Sequence, residues 1–137
     1  MRVQKSFAAI LIGAIALANS AFATSYKCNI RANGLYGGVP SVVVFSINED
    51  ETKAMIYYAL INKLYDRPIE ATLVVANPKR YTFKWTVAVP TTSNDRTQIR
   101  TDYRATYIRR THKISLRGFP KGYHLDVGVT GKCIPVK

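Results

Sequence analysis

His124 and Asp126 stand two residues apart in a stretch that alternates polar and apolar residues, which puts both side chains on one strand face. At that spacing a carboxylate can orient an imidazole for general-base work. The constellation stops there, because no motif marks a nucleophile, no second carboxylate is placed to act as acid, and an outward histidine on a strand is ordinarily just solvated. His112 is the only other histidine, and two histidines on separate strands are too few ligands for Zn²⁺. The Gly-rich segment 33–40 offers backbone N–H groups to a phosphate, yet it lacks the Lys-Ser/Thr pair and the following helix of a P-loop, so a turn between strands is the better reading. Glu49, Asp50 and Glu51 form the densest acidic cluster without the glycine that a calcium loop requires, and read as a solvated turn. No cofactor, no metal site and no enzymatic activity are expected.

The basic residues say more. The chain carries 20 Lys and Arg against 8 Asp and Glu, a formal net charge of +12, and loss of Arg2 and Lys5 with the leader described below lowers this to +10. Residues 24–78 are balanced, whereas residues 79–137 hold thirteen basic side chains opposed only by Asp95, Asp102 and Asp126. Solubility asks for net charge but not for its segregation, so the asymmetry points to an anionic partner. If the loop 90–97 closes a hairpin, Lys84 pairs with Arg104, and a tight turn near Arg110 and Thr111 then pairs Arg104 with Arg117. Three cations line up across adjacent strands on one outer face, although like charges directly opposite destabilise a sheet. Arg100, Arg109, Arg110, Lys113 and Lys121 surround that row, and Asp102 and Asp126 neutralise it only in part. The competing reading is a merely soluble basic surface.

Those cations need strands to position them, and period-2 alternation dominates after residue 23. Segments 26–32 and 41–47 read as strands, 48–52 as an acidic turn, 69–76 as a strand and 77–79 as a turn. Segment 53–60 is ambiguous: Ile56, Leu60 and Leu64 are spaced for a helix, but Met55-Ile56-Tyr57-Tyr58 has strand composition, which favours a strand running into an irregular piece at 62–68. In 80–89 the odd positions Tyr81, Phe83, Trp85, Val87 and Val89 turn inward, and Lys84 faces out. Segment 98–109 repeats the pattern with Ile99, Tyr103, Ala105 and Tyr107 inward and Arg100, Asp102 and Arg104 outward. Ile114 and Leu116 point inward from 112–118, as do Tyr123, Leu125, Val127 and Val129 from 123–133.

About eight short strands with no convincing helix predict an all-β fold, a small antiparallel up-and-down barrel, with a two-sheet β-sandwich as the alternative. A barrel of that size is either filled by side chains or holds one small ligand, and the aromatic inward positions favour filling. Most of the nine tyrosines and Trp85 belong to that core rather than to a base- or sugar-stacking surface.

Cys28 and Cys133 lie near the two ends of the mature chain and have no Cys-x-x-Cys partner. In an oxidising compartment they form a disulfide that ties the first strand to the last, closing a loop of about a hundred residues and stabilising by up to roughly 4.7 kcal/mol on chain entropy. Residues 1–23 supply that compartment. Arg2 and Lys5 precede an apolar run over 7–18, and Ala21-Phe22-Ala23 is a small-x-small cleavage site, so residues 1–23 read as a bacterial signal peptide. The apolar run is shorter than the ~20 residues of a membrane anchor. The expected product is one domain, residues 24–137, in the periplasm or outside the cell.

The Cys28 start, the strand Tyr81-Thr82-Phe83-Lys84-Trp85-Thr86-Val87, the strand Ile114-Ser115-Leu116-Arg117-Gly118 and the Gly131-Lys132-Cys133 finish resemble small, uncharacterised exported bacterial β-proteins with one cysteine near each end. The resemblance implies an exported β-rich domain and brings no functional residue with it.

The expected function is non-enzymatic binding through the basic outer face, with lipopolysaccharide phosphates, an acidic polysaccharide, nucleic acid or an acidic protein as the anion. Two alternatives remain: a carrier with a small apolar ligand in the lumen, which requires an unfilled interior, and a protein-interaction or inhibitor module. Against a basic enzyme such as lysozyme, an inhibitor of this charge would be steered away. Intact mass of the protein recovered from its native compartment should equal residues 24–137 less two hydrogens. Free thiols titrating in the unfolded, unreduced protein would contradict the disulfide.

Overall fold

The computed structural model describes residues 24–31, 40–90, 98–122 and 127–136. Residues 1–23, the Gly-rich stretch 32–39, the loop 91–97 and the pair His124 and Asp126 lie outside the described residues, as do Tyr123 and Leu125.

Eight strands run along the chain: β1 (Thr24–Arg31), β2 (Val42–Ile47), β3 (Ala54–Tyr57), β4 (Ile69–Ala76), β5 (Arg80–Pro90), β6 (Gln98–Ile108), β7 (Lys113–Pro120) and β8 (Val127–Val136). Each pairs antiparallel with the next, and β8 pairs with β1 from Ser25↔Val136 to Arg31↔Thr130. The result is the closed up-and-down barrel, not the sandwich, and closure leaves no sheet edge open to pairing with other chains.

Alternation sets the faces. Along β5, Tyr81, Phe83, Trp85 and Val87 are buried and Lys84 is exposed; along β6, Thr101, Tyr103, Ala105 and Tyr107 are buried and Arg100 and Arg104 are exposed. Thr82 breaks the rule: it lies on the outer face yet is only 2% exposed. The cause is a bulge in β4 between Leu73 and Val75, which brings Val75 opposite Thr82. On the other side the Thr82 and Thr106 hydroxyls meet at 3.3 Å.

The interior is filled by rings. Tyr26 stacks on Phe45 at 4.9 Å, Phe45 meets Phe83 at 4.9 Å, Phe83 stacks on Trp85 at 5.7 Å and Trp85 stacks on Tyr103 at 5.4 Å. Buried polar atoms are satisfied among the described residues, with the Trp85 indole N–H donating to the Tyr58 hydroxyl at 3.2 Å. This matters because an indole N–H left unpaired in a core is costly.

Segment 53–68 corrects the sequence reading. Strand β3 ends at Tyr57, and the expected irregular piece contains a helix, α1 (Ala59–Tyr65), which ends on Asp66 in a left-handed conformation. Seven residues cannot hold a helix by propensity alone. Packing holds it instead: Ile61 is fully buried in the barrel core, with Leu60 and Leu64 against it. The helical spacing was visible, but the strand composition of residues 55–58 belongs to the element just before it.

Cys28 and Cys133 face each other directly in the β1–β8 register, with Cα atoms 3.9 Å apart, and are disulfide-bonded and buried. Two positions away, Gly131 is required by contact: a Cβ there would overlap the Asn29 carbonyl oxygen. The seam of the barrel is therefore close-packed beside the disulfide.

Trp85 fluorescence should resist iodide quenching in the native protein and become quenchable in denaturant. Trp85→Ala should cost about 3–5 kcal/mol, measured by denaturant unfolding. Ready quenching in the native state would contradict the inward assignment.

Candidate functional site

Three turns gather at one end of the barrel, residues 48–53, 77–79 and 109–112, and polar side chains tie them together. Arg109 sends Nη1 to the Asn77 carbonyl at 3.0 Å, lies 3.5 Å from Glu51 Oε1, and places its guanidinium 4.7 Å over the Tyr81 ring. The Tyr81 hydroxyl donates to the same Glu51 oxygen at 2.7 Å, and the Tyr107 hydroxyl shares a 2.6 Å hydrogen bond with His112 Nδ1. Glu51 and His112 both sit at positive φ, 54° and 58°, without being glycine. This cluster is self-satisfied and holds turns in place. Arg109 belongs to it, so its charge is engaged within the protein rather than offered on the barrel wall.

Among the described residues no three His, Cys, Asp or Glu side chains gather as a metal site. His112 is spent on Tyr107.

The cationic row has the register that the hairpins require. Lys84 pairs with Arg104 and Arg104 with Arg117, all three exposed on the outer face of β5, β6 and β7. Adjacent strands lie about 4.8 Å apart, so the three Cα atoms span roughly 10 Å. Across β8 the row meets Gly128, where a Cβ would come within 3.9 Å of the Arg117 Nε.

Of the other predicted residues, Arg100 and Lys121 do not form one patch with this row. Arg100 lies four positions along β6, roughly 13 Å away, with its carbonyl accepting from the Lys121 N–H, so these two mark the opposite end of the barrel. Between them and the row lies Asp102, which pairs with Thr86 and Phe119 and accepts from the Thr86 hydroxyl at 2.6 Å. A groove of about 480 Å³ on this side is lined by Lys84 and Arg104 but also by Glu70 and Asp102. Arg110 is exposed in the turn beside Arg109.

On the other side of the row no acid intervenes among the described residues. Lys113 pairs with Lys132 across β7 and β8, a second pair of like charges, of which sequence reasoning named Lys113 and left out Lys132. Arg31 was missed as well, since it falls in the charge-balanced half of the chain. Closure brings it there by pairing it with Thr130 of β8. The signal that could have found both was present in the disulfide, since Cys28 opposite Cys133 places Asn29 opposite Lys132.

Comparison with protein-family models, curated proteins and solved structures returned no match.

The buried tyrosines carry a pH signature. Burial first, then the hydrogen bond to Glu51, push the Tyr81 hydroxyl up to about 12 against the pull of Arg109. Burial, then the nearby Tyr26, push Tyr107 up to about 12. Burial also raises Tyr103, and raises Tyr58 well above the ordinary phenol value. A folded-state pKa above the unfolded one means the fold favours the protonated phenol. That stability is fully present below about pH 10 and is lost as pH rises through about 12. Absorbance titration at 295 nm should therefore show these four phenols withheld above the ordinary phenol value until alkaline unfolding. A single smooth titration at pH 10 in a still-folded protein would contradict their burial.

Proposed function

We propose that this chain is an exported, non-enzymatic binding protein that holds an anionic polymer against the basic outer wall of its barrel. The observation that carries the reading is the register Lys84–Arg104–Arg117, three cations placed directly opposite one another on neighbouring strands. Like charges directly opposite are unfavourable in themselves, and a row of phosphates, sulfates or carboxylates would meet all three cations together. The aromatic filling of the interior favours the outer wall over the lumen as the binding surface, since a small-ligand carrier needs free volume inside. The buried Cys28–Cys133 disulfide and the leader-like residues 1–23 support export to an oxidising compartment.

Retention on an immobilised polyanion such as heparin should fall steeply with salt, and with duplex DNA the slope of log K against log salt should be about −0.9 per phosphate neutralised. Reversing Arg104 and Arg117 to Glu should flatten that slope. Reversing Lys53 and Lys63, exposed cations elsewhere on the barrel, makes the same change in net charge and should alter it little. Equal effects from the two double variants would mean that net charge alone is responsible.

A further inference from the structure

We infer that the polymer is an acidic polysaccharide, held as a single extended chain in a trough across β6, β7, β8 and β1; this rests on the binding reading above and assigns its ligand class and its seat. The trough is a groove of about 840 Å³. Lys113 and Lys132, opposite each other, form one wall, and the exposed Arg31 closes the β1 end. Its floor is a register row of three hydroxyls, Thr106–Ser115–Thr130, one from each of three consecutive strands. No described residue lining it is acidic.

The groove exists because of side-chain length. Thr106, Ser115 and Thr130 are short, while the neighbouring positions two residues along the same strands carry Lys113 and Lys132 on one side and Arg104 and Arg117 on the other. Positions two apart on a strand lie nearly 7 Å from one another, so the two cationic rows stand roughly 13 Å apart with the hydroxyls between them. A single chain lying along the floor meets hydrogen-bonding groups beneath it and positive charge on both flanks.

That order of groups suits a uronate-type sugar chain. Its ring hydroxyls exchange hydrogen bonds with Ser115 and Thr130, both exposed, and with the Asn29 side chain beside Arg31, while its carboxylates face the lysines and arginines. Single-stranded nucleic acid asks for a different floor, since sequence-tolerant binding of bases depends on aromatic platforms. Here the rings of β5 and β6 are turned into the core, and among the described residues no aromatic side chain lines the trough.

The test compares an oligogalacturonate with an oligo-dT of equal charge, by calorimetry on the disulfide-bonded protein. The wild type should bind the uronate more tightly. Ser115→Ala with Thr130→Val removes two exposed hydroxyls and no charge, and should lower uronate affinity roughly tenfold, the combined worth of two ordinary hydrogen bonds, while leaving the salt slope and oligo-dT binding unchanged. Lys113→Gln with Lys132→Gln should reduce the salt slope by nearly two charges, and Lys53→Gln with Lys63→Gln should not.

Unchanged uronate affinity in the hydroxyl variant overturns the trough, as do equal losses from the two lysine pairs. Tighter binding of oligo-dT than of uronate overturns the choice of polysaccharide. If a polyanion binds and responds to Arg104 and Arg117 reversal but to none of the trough variants, the trough fails while the basic-wall reading stands. If the wild type binds no polyanion at all, both fail.

Discussion

Closure of the barrel between β1 and β8 is the constraint on which the other features rest. Two strands 105 residues apart must find each other in one register, and Cys28 opposite Cys133 makes that register covalent. Gly131 shows how close the two backbones come, since the Asn29 carbonyl occupies the space of any larger side chain. Because side chains alternate with period two, a slip of one residue at this seam would turn Tyr26 and Ile30 outward and send Lys27 and Asn29 into the core. The disulfide sets the face of β1 as well as its partner.

From that closure follows the shape of the inside. Eight strands leave room for side chains or for one small ligand, and here aromatic rings from β1, β2, β5 and β6 meet within about 5–6 Å of one another. The polar ends of Trp85, Tyr81 and Tyr107 find partners within the barrel or at one end of it, on Tyr58, Glu51 and His112. Helix α1 contributes Ile61 to the same core. Among the described residues the interior is committed to packing, and the charged side chains stand on the wall.

The wall, in turn, is organised in rows by the register. Reading along the strands gives a cationic row, a hydroxyl row and a second cationic row; beyond the first cationic row lies one that contains Asp102 and Phe119. Charge on this wall is thus graded along the strands as well as along the sequence. Arg31 illustrates the point: it comes from the balanced half of the sequence, yet closure places it against the basic half.

Much of this was legible in the residues alone. Period-2 alternation over β5 and β6 is a local consequence of strand geometry, so it named the buried rings and the exposed cations directly, and short hairpins then fixed Lys84 opposite Arg104 and Arg104 opposite Arg117. The cysteine pair pointed to closure. Four things needed the tertiary structure, because each depends on a contact between distant parts of the chain. Helix α1 forms through the burial of Ile61 in the barrel, against its own short length. Arg109 looks like another surface cation in sequence, but the turns around Glu51 and Asn77 converge on it. The bulge in β4 covers Thr82, and the β1–β8 seam carries Arg31 and Asn29 to the side of Lys132, which no pattern confined to neighbouring residues can express. Local periodicity determines which way a side chain faces; only closure of the sheet decides what it faces.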